Sequence, residues 1–237
     1  MNREELISIA IKYEGNYTKI IEAIKTNEKV KLISAQAITI FDEEYPKCLF
    51  DLKQPPLVLF YKGNLSLLKE NNLIAVVGSR NPCDYSLKAT KALVKNKSGD
   101  VIISGLAKGI DACAHWQANK TIGILGCGIN YYYPYSNKDL IDEMANKQLI
   151  ISEYPDKVKP LAYHFPFRNR IIAALAKDVY VMECKEYSGT MTTINEALQL
   201  GKNVKVLPFD IFTNEGKINN RLIQEGAEII DTEEIFV

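Results

Sequence analysis

Leu73-Ile74-Ala75-Val76-Val77-Gly78-Ser79-Arg80 is the stretch that decides the fold. An unbroken apolar run of this length has no polar face to turn to water, so both faces of the strand it forms must be covered. The abrupt change to Gly78-Ser79-Arg80 marks the strand's C-terminal end. Such strands belong to parallel sheets, whose crossover helices supply the cover.

Working outward, the same unit recurs. A helix is predicted over 84–97, then the strand Val101-Ile102-Ile103 running into Ser104-Gly105. A helix over 109–119 leads to a strand over 121–125 ending at Gly126-Cys127-Gly128. Leu149-Ile150-Ile151 follows, then a helix over 169–176 and the strand Val179-Tyr180-Val181-Met182. Ser188-Gly189-Thr190 opens a helix to residue 200, with Ser188 or Thr190 as its cap, and a strand is predicted over 203–207. A closing helix around Leu222-Ile223 and a short strand at Ile229-Ile230 complete the pattern. The expected fold is α/β: a Rossmann-like, doubly wound, mainly parallel sheet with helices on both faces, spanning 45–237. Residues 1–44 read as a short N-terminal helical and extended segment, with two helices broken at Gly15-Asn16. The strand Leu57-Val58-Leu59-Phe60-Tyr61 follows three prolines, Pro46, Pro55 and Pro56.

Bulk properties narrow the function classes. With 29 basic and 29 acidic residues among 237, the chain is not a general polyanion binder, and any nucleic-acid contact must come from a local patch. The five cysteines (Cys48, Cys83, Cys113, Cys127 and Cys184) are odd in number and never spaced C-x-x-C, which argues against a disulfide framework and a structural zinc site. No apolar stretch reaches membrane-spanning length, and Met1-Asn2-Arg3-Glu4-Glu5 does not resemble a signal peptide, so a cytoplasmic protein without membrane contact is expected. No metal or cofactor is expected either. The third glycine of the dinucleotide fingerprint is missing after Gly126-Cys127-Gly128, and no Walker-type lysine motif occurs.

The small-residue turns gather at one place. In a parallel sheet, Gly78-Ser79-Arg80, Ser104-Gly105, Gly126-Cys127-Gly128 and Ser188-Gly189-Thr190 all fall along the edge where strands end and helices begin. Free backbone N–H groups and helix dipoles there favour an anion such as phosphate. Arg80 adds a guanidinium that can fork onto a phosphate or stack on a base; a surface salt bridge is its bland alternative. A second signal is the acid-free segment from Lys157 to Lys177, which also holds Lys159 and the core Tyr163-His164-Phe165-Pro166-Phe167-Arg168-Asn169-Arg170. Rings interleaved with cations suit a single-stranded nucleic-acid groove, or else a basic connection into the apolar run that follows. Asp111 and His115, four apart on one helix, allow either an oriented general base or a structural hydrogen bond. Glu153, Glu183 and Cys184 also fall near strand ends, without a pattern that fixes them as catalytic.

In their order, these segments resemble the DNA-processing protein A family. They are Val76-Val77-Gly78-Ser79-Arg80, Ser104-Gly105-Leu106-Ala107-Lys108-Gly109-Ile110-Asp111 with Ala114-His115, and Gly126-Cys127-Gly128-Ile129 with Tyr133-Pro134. Ser152-Glu153-Tyr154-Pro155, Phe165-Pro166-Phe167-Arg168-Asn169-Arg170-Ile171-Ile172, Ser188-Gly189-Thr190 and Leu222-Ile223-Gln224-Glu225-Gly226-Ala227 complete the set. The resemblance implies a non-enzymatic protein that binds single-stranded DNA with little sequence preference. It also implies protection of incoming DNA during natural transformation, loading of the RecA recombinase, and a homodimer with contacts around residues 221–224. Carried over, Arg80 is the principal DNA contact, Lys108, Arg168 and Arg170 line the same pocket, and Phe165 or Tyr163 stacks on bases. Two departures stand out: many members carry a further winged-helix-like domain after the Rossmann domain, and the family's Pro-Gly after the last strand is Pro208-Phe209 here. The competing expectation is an enzyme resembling nucleoside-monophosphate phosphoribohydrolases. It is weakened because Glu186-Tyr187-Ser188-Gly189-Thr190, with Glu196 beyond, lacks their glycines.

Overall fold

The computed structural model describes residues 1–236. The decisive stretch forms β3 (Leu73–Gly78), buried from Leu73 to Val77, and it lies near the middle of a nine-stranded sheet. On one side of β3 stand β4 (Val101–Ser104), β5 (Lys120–Leu125) and β6 (Leu149–Ser152), each parallel to the strand before it. On the other side stand β7 (Asp178–Glu183), β8 (Asn203–Val206) and β9 (Glu228–Ile229), also parallel. The chain therefore winds outward from β3 to β6, crosses back beside β3 as β7, and winds outward the other way. The β3–β7 boundary is the topological switch point, where the crevice of such sheets opens.

Strand alternation distributes the core. Ala75 and Val77 of β3 point to one face, packed with Ile171 and Ala174 of α6 (His164–Leu175) and Ile194 of α7 (Gly189–Gln199). Ile74 and Val76 point to the other, against Leu93 of α3 (Asp84–Asn96) and Ile110 and Ala114 of α4 (Ile110–Gln117). Both faces are thus apolar, as the unbroken sequence run requires.

The N-terminal part is attached to this sheet. The helices α1 (Arg3–Lys12) and α2 (Tyr17–Lys25) break at Gly15-Asn16 as read from sequence. Leu6, Ile9 and Ile20 pack in a cluster with Leu140 and Met144 of α5 (Lys138–Lys147) and with Ile150 of β6. Beyond them a strand not legible in sequence, β1 (Ala37–Thr39), pairs antiparallel with β2 (Val58–Gly63), which pairs antiparallel with β6. Three residues are too few to show a period, which is why β1 escapes a sequence reading. At the other end, α8 (Lys217–Gln224) lies in the crossover from β8 to β9, and the short α9 (Thr232–Ile235) follows β9.

Helix α6 starts earlier than the sequence suggests. The helix expected over 169–176 in fact begins at His164, with Pro166 in its first turn. Proline is tolerated in a first turn, where its missing N–H would have no partner anyway. This shift decides the geometry of the site.

Candidate nucleic-acid interface

A cleft of about 530 Å³ opens at the switch point. Its walls are the Gly78-Ser79-Arg80 turn after β3, the N-terminal half of α6, and the Ser188-Gly189-Thr190 start of α7. A smaller cavity of about 240 Å³ shares Arg80, Phe165 and Arg168 with it and extends to Gly105 and Lys108.

The Arg80 turn is held from below. Gly109, at φ 76°, presses its Cα against the carbonyls of Ser79 and Arg80, a conformation and approach that a side chain would block. The first amide of α4, Ile110 N–H, donates to the Ser79 carbonyl at 3.1 Å. With the backbone fixed, the exposed Arg80 guanidinium lies 5.7 Å from the centre of the Phe165 ring. It forms no ion pair among the described residues. Tyr133, 5.2 Å from Phe165 between ring centres, extends the aromatic wall.

Arg168 is a floor. It is 4% exposed, and its Nη1 donates to the carbonyls of Gly105, at 2.8 Å, and Ile124. Burial pushes its pKa down to about 10, and the neighbouring Asp111 carboxylate pulls it back up, so it remains a cation at neutral pH. Asp111 accepts from the Gly105 and Ala107 amides at 3.1 and 3.3 Å, and burial raises its pKa against the pull of Arg168. A Cβ on Gly105 would stand 2.6 Å from Arg168 Nη2 and 2.7 Å from Asp111 Oδ2, so the pair needs glycine between them.

The start of α7 is open. Ser188 occupies the N-cap position, but neither hydroxyl caps the helix as expected from sequence. The Ser188 hydroxyl lies 3.5 Å from Cys184 Sγ, and the Thr190 hydroxyl donates to the Gly78 carbonyl at 3.1 Å. A Cβ on Gly189 would meet nothing within 4 Å. The uncapped N–H groups and helix dipole face the cleft, an arrangement suited to an anion.

Of the residues singled out in the sequence, Gly78, Ser79, Arg80, Phe165, Arg168, Ser188, Gly189 and Thr190 line the main cleft, and Gly105 and Lys108 line its extension. Three do not join them. Ser104 is fully buried, donating to the Val76 carbonyl at 2.6 Å. Arg170 is buried in a bidentate pair with Glu153 at 2.6 and 2.7 Å, its guanidinium 3.7 Å from the Phe167 ring centre. Tyr163, 63% exposed, borders a different cavity beside the N-terminal helices. The reason is helical geometry: two residues apart is about 200° around the axis, so Phe165 and Phe167, or Arg168 and Arg170, cannot face one cleft. Phe165, Arg168, Asn169 and Ile172 share the cleft face instead. Sequence reading missed Lys185 and Asn81, and it quoted Asn169 and Tyr133 only as parts of motifs.

The other candidate groups are engaged in hydrogen bonds within the fold. Asp111 and His115 do not converge: His115 Nδ1 meets the Thr121 hydroxyl at 2.6 Å. Glu183 accepts from Cys83 N–H at 2.8 Å and the Ser86 hydroxyl at 2.9 Å, supplying from β7 the cap that α3 lacks. Glu196 is not among the residues lining the cleft.

Burial holds His115 neutral, with its pKa lowered to about 3, and the Arg168 charge adds to the effect. Unfolding restores a value near ~6.5, so the unfolded chain binds the extra proton and stability falls as pH drops from about 6.5 toward 3. In the melting temperature against pH, His115→Gln is expected to flatten this limb; an equally steep limb would place the titration elsewhere.

Fold and cleft together define a doubly wound α/β protein with a cationic, aromatic ligand cleft at its switch point. The profile of the DNA recombination-mediator protein A family matches residues 36–237, and the chain belongs to that family. It is 40% identical to DNA processing protein DprA of Bacillus subtilis over 206 residues, covering 84% of this chain and 69% of that one. Its identity to the Streptococcus pneumoniae protein of the same name is also 40%, over 219 residues, covering 90% and 76%. The solved structure of Streptococcus pneumoniae DNA processing protein A superposes with a TM-score of 0.80 at 35% identity, covering 96% of this chain and 89% of that one. A structure describing the single-stranded DNA binding mode of DNA processing protein A from Helicobacter pylori gives 0.77 at 34%, covering 84% and 93%.

Proposed function

We propose that the chain binds single-stranded DNA, with little sequence preference and without hydrolysing it, in the cleft between Arg80 and the first turns of α6. The observation that carries this reading is the placement of the Arg80 guanidinium, without an ion pair among the described residues, over the ring of Phe165 at the switch point. Cations that meet phosphates beside rings that meet bases are what a sequence-tolerant groove needs. The uncapped start of α7 and Lys185 offer further phosphate contacts. Asp111, the carboxylate lining this cleft, is occupied by two amides, which supports a binding rather than a catalytic role.

Family membership and the Helicobacter pylori relative's single-stranded DNA binding support the same ligand. We extend the reading to protection of incoming DNA and loading of the RecA recombinase in transformation, by a homodimer that meets near α8 and the edge strand β9, where Ile229 stays exposed. The five free thiols suit action in the reducing cytoplasm. No helix among the described residues is long and apolar enough to cross a membrane.

Fluorescence anisotropy of a labelled oligo-dT across a salt series tests the ligand. Affinity should fall linearly in logarithms of salt, and duplex of the same length should bind much less well. Phe165→Ala is expected to weaken binding about tenfold while leaving the salt slope unchanged, since a ring carries stacking and no charge. Release of free base from AMP or CMP would instead establish an enzyme.

A further inference from the structure

A second cavity, of about 490 Å³, lies on the other side of α6 from the Arg80 cleft, between the α1–α2 turn and the segment leading into α6. Its lining is aromatic: Tyr13, Tyr17, Tyr154, Tyr163, His164 and Phe167. Tyr163 stands at the rim, 63% exposed, its ring near-perpendicular to that of His164 with 4.6 Å between ring centres. Tyr17 and Phe167 meet edge to face at 6.3 Å. Rings placed for core packing are buried; here a tyrosine ring is left largely exposed at the rim of a cavity.

Two further features separate this cavity from a packing gap. His164 is 4% exposed and stacks on Tyr154 at 3.9 Å, yet its buried Nδ1 has no hydrogen-bond partner among the described residues. A buried polar atom without a partner is costly, and this one is closed to solvent, so a ligand's donor reaches it only if the ring stack shifts. The rim is also mostly basic. Lys19 lines the cavity, and the exposed Lys157 and Lys159 flank Val158, which lines it too. None of these lysines forms an ion pair among the described residues, and Glu14 is the one acid in the lining. The two cavities are continuous in chain: Ala162, Phe165 and Pro166 wall the Arg80 cleft, while Leu161, Tyr163, His164 and Phe167 wall this one. They are separated by the thickness of a single helix, about 10–12 Å with its side chains.

We propose that this cavity is a second base-stacking subsite for the same single strand, receiving nucleotides that leave the Arg80 cleft and pass round the start of α6. Tyr163 supplies the stacking face, and Lys157, Lys159 and Lys19 meet the phosphates on either side. The inference rests on the single-strand reading of the Arg80 cleft. It also gives a role to Lys157 and Lys159 of the acid-free segment, which the first cleft leaves unused.

The test compares two oligo-dT lengths, ~4 and ~16 nucleotides, the shorter confined to one cleft and the longer able to reach both. Tyr163→Ala should weaken the longer oligomer about tenfold and leave the shorter unchanged, and Tyr163→Phe should bind both as the parent does. Unchanged affinity for the longer oligomer in Tyr163→Ala would overturn the subsite. So would an equal loss at both lengths, or a loss in Tyr163→Phe as large as in Tyr163→Ala. Arg80→Ala, run alongside, separates the two readings. If it weakens both lengths while Tyr163→Ala weakens neither, the subsite alone fails; if it weakens neither length, the cleft reading fails and the subsite with it.

Discussion

Arg80→Ala is expected to weaken oligo-dT binding by about tenfold to a hundredfold, the range that loss of a charge-assisted hydrogen bond of roughly 1.5–3 kcal/mol implies. The guanidinium is exposed, forms no ion pair among the described residues and stands over Phe165, so its interactions are reserved for a ligand. Its removal should therefore leave the fold intact, with an unchanged melting temperature. It should also lower the salt slope by about 0.7, the share of one phosphate contact on a single strand. Arg80→Lys should restore the slope but only part of the affinity, because an ammonium keeps the charge and loses the planar fork. Unchanged affinity in Arg80→Ala would place the DNA elsewhere on the molecule.

Arg170→Ala is expected to act in the opposite way, costing about 3–5 kcal/mol of stability because it strands the buried Glu153 carboxylate. For a chain of this size each kcal/mol corresponds to about 2–4 °C, so melting should fall by about 6–20 °C. The loss has further sources: Arg170 Nε also donates to the Gln54 carbonyl at 3.0 Å and Nη1 to the Phe167 carbonyl at 2.8 Å. Arg170 therefore ties α6 to the loop before β2. Replacing both partners with apolar residues, Arg170→Met with Glu153→Leu, should recover much of the loss, since neither charge is then left buried alone. The salt slope for DNA should not move at a temperature where the variant is folded. A flattened slope with unchanged melting would restore Arg170 to the DNA contacts.

These two arginines show where sequence reading reached and where it stopped. Arg80 is legible because it directly follows an apolar strand, a glycine and a serine, and in a parallel sheet that position is at the ligand edge whatever the details. Arg168 and Arg170 share a motif, and nothing in their spacing alone separates them. Their roles depend on where α6 begins, and a helix started at residue 169 leaves Arg168 outside it. Asp111 and His115 gave the reverse lesson: i, i+4 spacing put them on one helix face, but each found its own partner, the Gly105 amide and the Thr121 hydroxyl. Glu183 was legible as a strand-end acid, while its cap on α3 joins residues about a hundred positions apart and has no local signal.

By itself the sequence determined that this chain folds as a doubly wound, mainly parallel sheet, because apolar runs such as 73–77 admit no solvent-facing side. It also determined that glycine-rich strand ends and Arg80 gather at one edge, because parallel strands all end there. Only the tertiary structure decided which rings and cations share a cleft. That choice rests on where α6 begins, and on the rotation of about 100° per residue that follows from it. Phe165 and Arg168 were thereby turned toward Arg80, Phe167 and Arg170 toward Glu153 and the N-terminal helices, and Tyr163 was left open over a second cavity.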